Sequence, residues 1–175
     1  ATDVDTNFWG SLNALREHRN ADLIVQRGRY RNPTRMKEQE HDLFWDDLIE
    51  PFAYEERHDL CPILTLMCDV NVSPTAQYPL TGYDSISGGK SCIIGHPKLT
   101  RRDIPTPQAD HPKQMMTTGA CTVKNYSNSG IGKKGAFHHT LGALIVEVRG
   151  DVFFARQINA CRDGSFIDLD NEYFP

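Results

Sequence analysis

Two adjacent histidines, His138 and His139, stand at the head of the run HHTLGALIVEV. Imidazole titrates near neutral pH, so it can serve as a general base or as a metal ligand. Read as the start of a β-run, the pair points to opposite faces, and one ring meets any given site while the other packs or faces water. Both are candidate catalytic residues. Asp69 and Asn71 follow the apolar run ILTLMC at i and i+2, which places them on one face of a strand end. His96 ends the run SCIIG in the same way. A carboxylate, an amide and imidazole make up the ligand set of a hydrolytic divalent ion, so Asp69, Asn71 and His96 are candidate ligands for Mn, Mg or Zn. The ordinary alternatives are a turn carboxylate at Asp69 and structural histidines.

Around these residues lie basic loops that suit an anionic substrate. Lys133 and Lys134 sit in a Gly-rich stretch whose backbone can approach a phosphate. Arg101 and Arg102 form a second basic pair, and Arg27, Arg29, Arg31 and Arg35 a third cluster around Tyr30. If the three gather on one side, the substrate is a polyanion, nucleic acid included. If they scatter, they are solubilising surface. Gly88-Gly89-Lys90-Ser91 copies the end of a phosphate-cradling loop, but Asp84 stands where that pattern needs glycine. A strand-like run follows instead of a helix, so a flexible turn is the expectation. Asp168 and Asp170 read as the solvated face of a terminal strand. No serine or threonine sits in a nucleophile elbow.

The elements that would position these groups read as follows. Phe8, Trp9, Leu12 and Leu15 share a helical face over residues 6–18, with Thr6 or Asn7 as the cap. A second helix is expected over 35–54, ended by Pro51. Strands are expected at 23–25, 63–72 and 91–95, and 97–112 is too rich in proline for helix or central strand. The end of the chain reads as a β-meander: 143–148, 152–160 and 165–169, joined by turns at 149–151 and 162–164. Helices early and strands late predict an α+β fold, with a mixed or antiparallel central sheet, two N-terminal helices and a C-terminal β-meander.

The chain is expected to be a single domain over 1–175, with room for it to be a processed piece of something longer. It is 39% hydrophobic and 24% charged, with a net charge of -4, which argues against coating nucleic acid through net charge alone. The cysteines Cys61, Cys68, Cys92, Cys121 and Cys161 form no CxxC pair and sit mostly in apolar runs. That reads as buried thiols in a reducing, cytoplasmic compartment. No run approaches a membrane span, so no membrane partner is expected. The leading functional expectation is a metal-dependent hydrolase, a phosphoesterase or nuclease acting on a phosphodiester or other anionic substrate. The other is a non-catalytic binder of nucleic acid or protein through basic loops and the aromatics Tyr30, Tyr78, Tyr83 and Tyr126. The layering is compatible with that of metallophosphoesterases, but the D-x-H, G-D, G-N-H-[DE] and G-H-x-H motifs of that family are absent, and no family is assigned.

Overall fold

Helix α1 spans Thr6–Arg19 and begins where Asp5 accepts a hydrogen bond from the Phe8 amide. The cap is thus one residue earlier than expected. Asn20 ends the helix in the left-handed conformation, φ 48°, which its short polar side chain tolerates. Phe8, Trp9, Leu12 and Leu15 are buried as their spacing requires. The computed structural model describes residues 3–28, 45–107 and 110–175. Half of the expected second helix, residues 35–44, together with Arg29, Tyr30 and Arg31, lies outside the described residues.

The rest of that helix corrects the expectation. Within the described residues Asp47–Phe52 form a 3-10 helix, not an α-helix. Asp46 caps it through the Leu48 amide, and Pro51 lies inside it. Proline removes the donor that a longer α-helix would need. The next residues, β2 (Ala53–Tyr54), pair in parallel with β1 (Val25–Gln26). One helix, not two, therefore stands at the N-terminus of the described residues.

The central sheet is mixed, with five strands in the order β3-β4-β5-β7-β6. β3 is His58–Cys61, β4 Leu64–Leu66, β5 Ser91–Ile94, β6 Arg101–Ile104 and β7 Lys113–Thr117. β4, β5 and β7 run parallel in the middle, while β3 and β6 are antiparallel edges. β6 corrects the reading of 97–112 as wholly irregular. Proline is excluded from the middle of a sheet but tolerated beside an edge strand, and Pro105 follows β6 directly. β4 also ends at Leu66, six residues before the expected end at 72. Leu64, Leu66, Ile93 and Met116 fill one face of the sheet with Leu144, Val146 and Phe153 against them. Cys92, Ile94, Met67 and Met115 fill the other, covered by Leu80 and Val72 from the loop after β4.

The C-terminal strands form two separate antiparallel hairpins, not one meander. β8 (Gly142–Arg149) pairs with β9 (Val152–Asn159). β10 (Phe166–Asp168) pairs with β11 (Asn171–Tyr173), a strand that the sequence reading missed. A tight turn, Cys161 amide to Ser165 carbonyl at 2.7 Å, swings β10 away from β9. Phe166 then meets Phe8 edge to face with ring centroids 5.9 Å apart. This second core joins α1 to the end of the chain, and buried Asp168 ties it to Arg156 at 2.6 Å.

Candidate functional site

The three parallel strands deliver their carboxyl ends to one edge of the sheet, with Leu66 opposite Ile93 and Ile94 opposite Thr117. The crevice outside such ends is where open sheets bind ligands, because strands stop there and polar loops begin. The residues that follow are Cys68 and Asp69 after β4, Gly95 and His96 after β5, and Thr118 and Gly119 after β7.

His96 is buried at this edge. Its Nδ1 accepts from the Lys98 amide at 3.0 Å, and its Nε2 lies 3.0 Å from the Ser73 carbonyl. An amide can only donate and a carbonyl can only accept, so the proton sits on Nε2 and the ring is neutral. Burial lowers its pKa from the usual 6.5 against two supporting backbone bonds, and Lys98 and His138 lower it further by charge. His96 thus ties the loop at Ser73 to the turn after β5.

His138 and His139 do not open a strand. They end helix α2, Gly130–His138, with His139 as the C-cap. Three glycines over 128–135 read as loop, since each costs about 1 kcal/mol relative to alanine in a helix. Packing overrides that cost: a Cβ on Gly132 would meet the Ser127 carbonyl at 2.0 Å, and one on Gly135 would meet Tyr126 at 2.8 Å and Thr75 at 2.9 Å. Only a helix with a glycine face lies this close to its neighbours. Ser129 starts it by accepting from the Gly132 amide at 3.0 Å.

The two rings consequently differ by more than strand alternation would impose. His139 is buried, its Nδ1 is 2.9 Å from the Tyr126 hydroxyl, and its Nε2 is 2.8 Å from the Thr122 carbonyl. Nε2 must donate to Thr122, so Tyr126 donates to Nδ1. Burial lowers the His139 pKa and pushes that of Tyr126 up to about 12. Both are neutral structural partners. His138 is half-buried, lies edge-on to Phe137 at 5.1 Å, and is near enough to His96 for its charge to be felt there. Of the two, it is the ring with open nitrogens among the described residues.

Asp69 and Asn71 sit past the end of β4, in a turn and the loop after it, so strand alternation does not align them. The exposed Asp69 carboxylate accepts from Arg57 at 3.2 and 3.0 Å, a bidentate ion pair. Asn71 is exposed, and its backbone carbonyl accepts from the Tyr83 hydroxyl at 3.3 Å. Among the described residues no three His, Cys, Asp or Glu side chains stand where they could hold a metal ion. With His96 closed by two bonds and Asp69 by Arg57, the donors as arranged do not fit one.

The cations divide. Lys133 and Lys134 are exposed on α2. Arg101 and Arg102 lie opposite Met116 and Met115 on edge strand β6, and so project to opposite faces. Arg101 bonds to Asp103 at 3.3 Å. Lys90, from the phosphate-loop look-alike, pairs with Asp59 at 2.5 Å, and Ser91 opens a strand, so that loop is a turn. Lys98, which the sequence reading left out of the site, donates to the Gln77 carbonyl at 2.7 Å beside His96. Phe137 was missed as well. A signal for both existed: segments 70–83, 94–102 and 111–146 contain no Asp or Glu, on a chain with 23 of them. These are the segments that build the carboxyl edge and α2. A shallow groove of about 450 Å³ lies elsewhere, lined by Arg27, Glu50, Ala53, Tyr54, Glu55 and Glu56. Its arginine is already paired with Glu50 and Glu55.

No family model and no solved structure matches the chain. Among curated proteins, "Protein A1" of Escherichia phage T5 is 31% identical over 171 residues. The match covers 94% of this chain and 31% of the phage protein, so the chain spans about a third of the length of the curated relative it matches.

Proposed function

We propose that the chain is a phosphoesterase or nuclease that acts on a phosphodiester, or another anionic substrate, at the carboxyl edge of β4, β5 and β7. The observation that supports it is a set of cations near an open imidazole: Lys133 and Lys134 on the helix that ends at His138, and Lys98 two residues after His96, on segments without Asp or Glu, with Asp69 at the same edge held by Arg57. Lysines stabilise charge on the phosphoryl oxygens. Neutral His138 takes a proton from the attacking water; the water oxygen bonds to phosphorus as the ester P–O bond breaks. The departing oxygen leaves with a proton returned by the imidazolium. Dependence on a divalent ion (Mn, Mg or Zn) belongs to the proposal, and requires Asp69 to leave Arg57 and His96 to release the Lys98 amide. Five unbridged cysteines support a reducing, cytoplasmic setting. Among the described residues no helix is long and apolar enough to cross a membrane.

The test is hydrolysis of bis(p-nitrophenyl) phosphate and of an oligonucleotide with Mn²⁺, Mg²⁺ or Zn²⁺ against EDTA, together with metal analysis of the purified chain. Turnover that rises with a divalent ion is expected. Absence of turnover under every condition sinks the proposal. The second reading, a non-catalytic nucleic-acid binder, is favoured by the closed bonding of His96, His139 and Asp69. It calls for salt-dependent binding without turnover.

A further inference from the structure

We infer that this site takes single-stranded nucleic acid, with bases stacking on Phe137 and Tyr78 while Lys98, Lys133 and Lys134 meet the phosphates. The inference rests on the placement of the site at the carboxyl edge and names its substrate class. Phe137 is 83% exposed and Tyr78 72% exposed, more than any other large apolar residue described. Neither ring supports the core, so stability does not account for either. Phe137 lies edge-on to the His138 ring at 5.1 Å, and Tyr78 lies beside the Lys98 ammonium. Phe137 precedes His138 on α2, with Lys133 four residues and Lys134 three residues before it. On a helix those spacings bring side chains together on one face. The opposite face, Gly132 and Gly135, is the one pressed against Ser127, Tyr126 and Thr75. The exposed surface of α2 therefore carries two cations and an aromatic ring, with Ile131 also exposed, leading to the open histidine.

Tyr78 lies on the loop that α2 covers. Thr75 touches the Gly135 position, and three residues of chain keep Tyr78 within about 10 Å of Thr75. The Lys98 ammonium, bonded to the Gln77 carbonyl, is 5.7 Å from the Tyr78 ring centroid. Cations beside exposed rings are the composition of single-strand grooves: the charge tracks the phosphates and the rings take the faces of unpaired bases. In a duplex those faces are covered by neighbouring base pairs, so rings of this kind have nothing to stack on.

The test is fluorescence anisotropy of the full chain, in EDTA to hold back turnover, with three labelled probes of about twelve nucleotides: oligothymidylate, an abasic phosphodiester of equal length, and a duplex. Thymidylate is expected to bind about 10-fold or more tightly than the other two. Phe137→Ala and Tyr78→Ala should each weaken it about 5- to 100-fold, as loss of one stacked base does, and Phe137→Trp should restore it. Circular dichroism checks that these surface variants stay folded. Equal binding of the abasic probe, preference for the duplex, no binding of any probe, or variants within about 2-fold of the parent would overturn the inference. A chain that prefers thymidylate but leaves bis(p-nitrophenyl) phosphate intact keeps the inference and loses the hydrolytic reading. A chain that cleaves that ester but binds the abasic probe equally well does the reverse.

Discussion

The hydroxyl of Tyr126 donates to Nδ1 of His139 at 2.9 Å. This bond, with that of Nε2 to Thr122, sets the two adjacent histidines apart. It occupies the nitrogen that would otherwise be available for chemistry, and it fixes the end of α2 to the loop before it. His138, one residue away, is left with an open ring.

His138→Ala is expected to lower phosphodiester hydrolysis about 10²- to 10⁴-fold, the usual contribution of a positioned acid or base. Its melting temperature should hardly move, because the half-buried ring makes no hydrogen bond among the described residues. His139→Ala is expected to act the other way, destabilising the fold by about 2–4 kcal/mol as a buried side chain and its bonds are lost. Steady-state kinetics paired with urea unfolding of both variants separates the two. Loss of activity in a His139→Ala protein that keeps its stability would contradict the assignment.

Tyr126→Phe removes the donor and leaves a buried imidazole acceptor unpaired. A cost of about 1–3 kcal/mol in urea unfolding is expected. An unchanged midpoint would mean that water replaces the hydroxyl and that the bond carries little.

Stability should fall on acidification. Burial depresses the folded-state pKa of both His96 and His139 below 6.5. In the unfolded chain each protonates near its ordinary value, so over this range the unfolded state binds more protons. The contribution is fully present above pH 6.5 and is lost as the pH falls from there through the depressed folded values. Chemical denaturation at neutral pH and at about pH 5 measures it. His139→Gln, which cannot charge, should flatten the slope.

Gly119→Ala should destabilise strongly. Its φ is +78°, and a Cβ there would meet the Gly142 backbone at 2.9 Å. Left-handed strain alone costs roughly 1–2 kcal/mol, and the clash would push apart the crossing at which Ala120 pairs with Leu141. A melting temperature equal to that of the parent would show that the backbone can relax there.

Lys133→Ala and Lys134→Ala should each reduce the salt dependence of oligonucleotide binding by about one unit of log K per log salt. The same substitution at Lys90 should change nothing, since that ammonium is committed to Asp59. Equal effects at all three would mean diffuse attraction rather than a site.

Much of the framework follows from side-chain periodicity alone. Phe8, Trp9, Leu12 and Leu15 mark α1 because burial on one face needs apolar residues at helical spacing. SCII and GALIVEVR mark β5 and β8 because short β-rich runs bounded by turn residues have few other uses. The α+β class and the mixed sheet were legible for these local reasons, whereas the strand alignment expected for Asp69 and Asn71 was not, because β4 ends at Leu66. What the sequence left undetermined depended on partners far along the chain. The glycines of α2 acquire their helix from Tyr126, Thr75 and Ser127, none of which a propensity can weigh. The turn at Cys161 divides the expected meander, and Asn171–Tyr173 become a strand by pairing with Phe166–Asp168, with Tyr173 opposite Phe166. The roles of His138 and His139 were likewise decided by tertiary structure: their chemical types are identical, and only burial against Thr122 and Tyr126 closes one ring and leaves the other open.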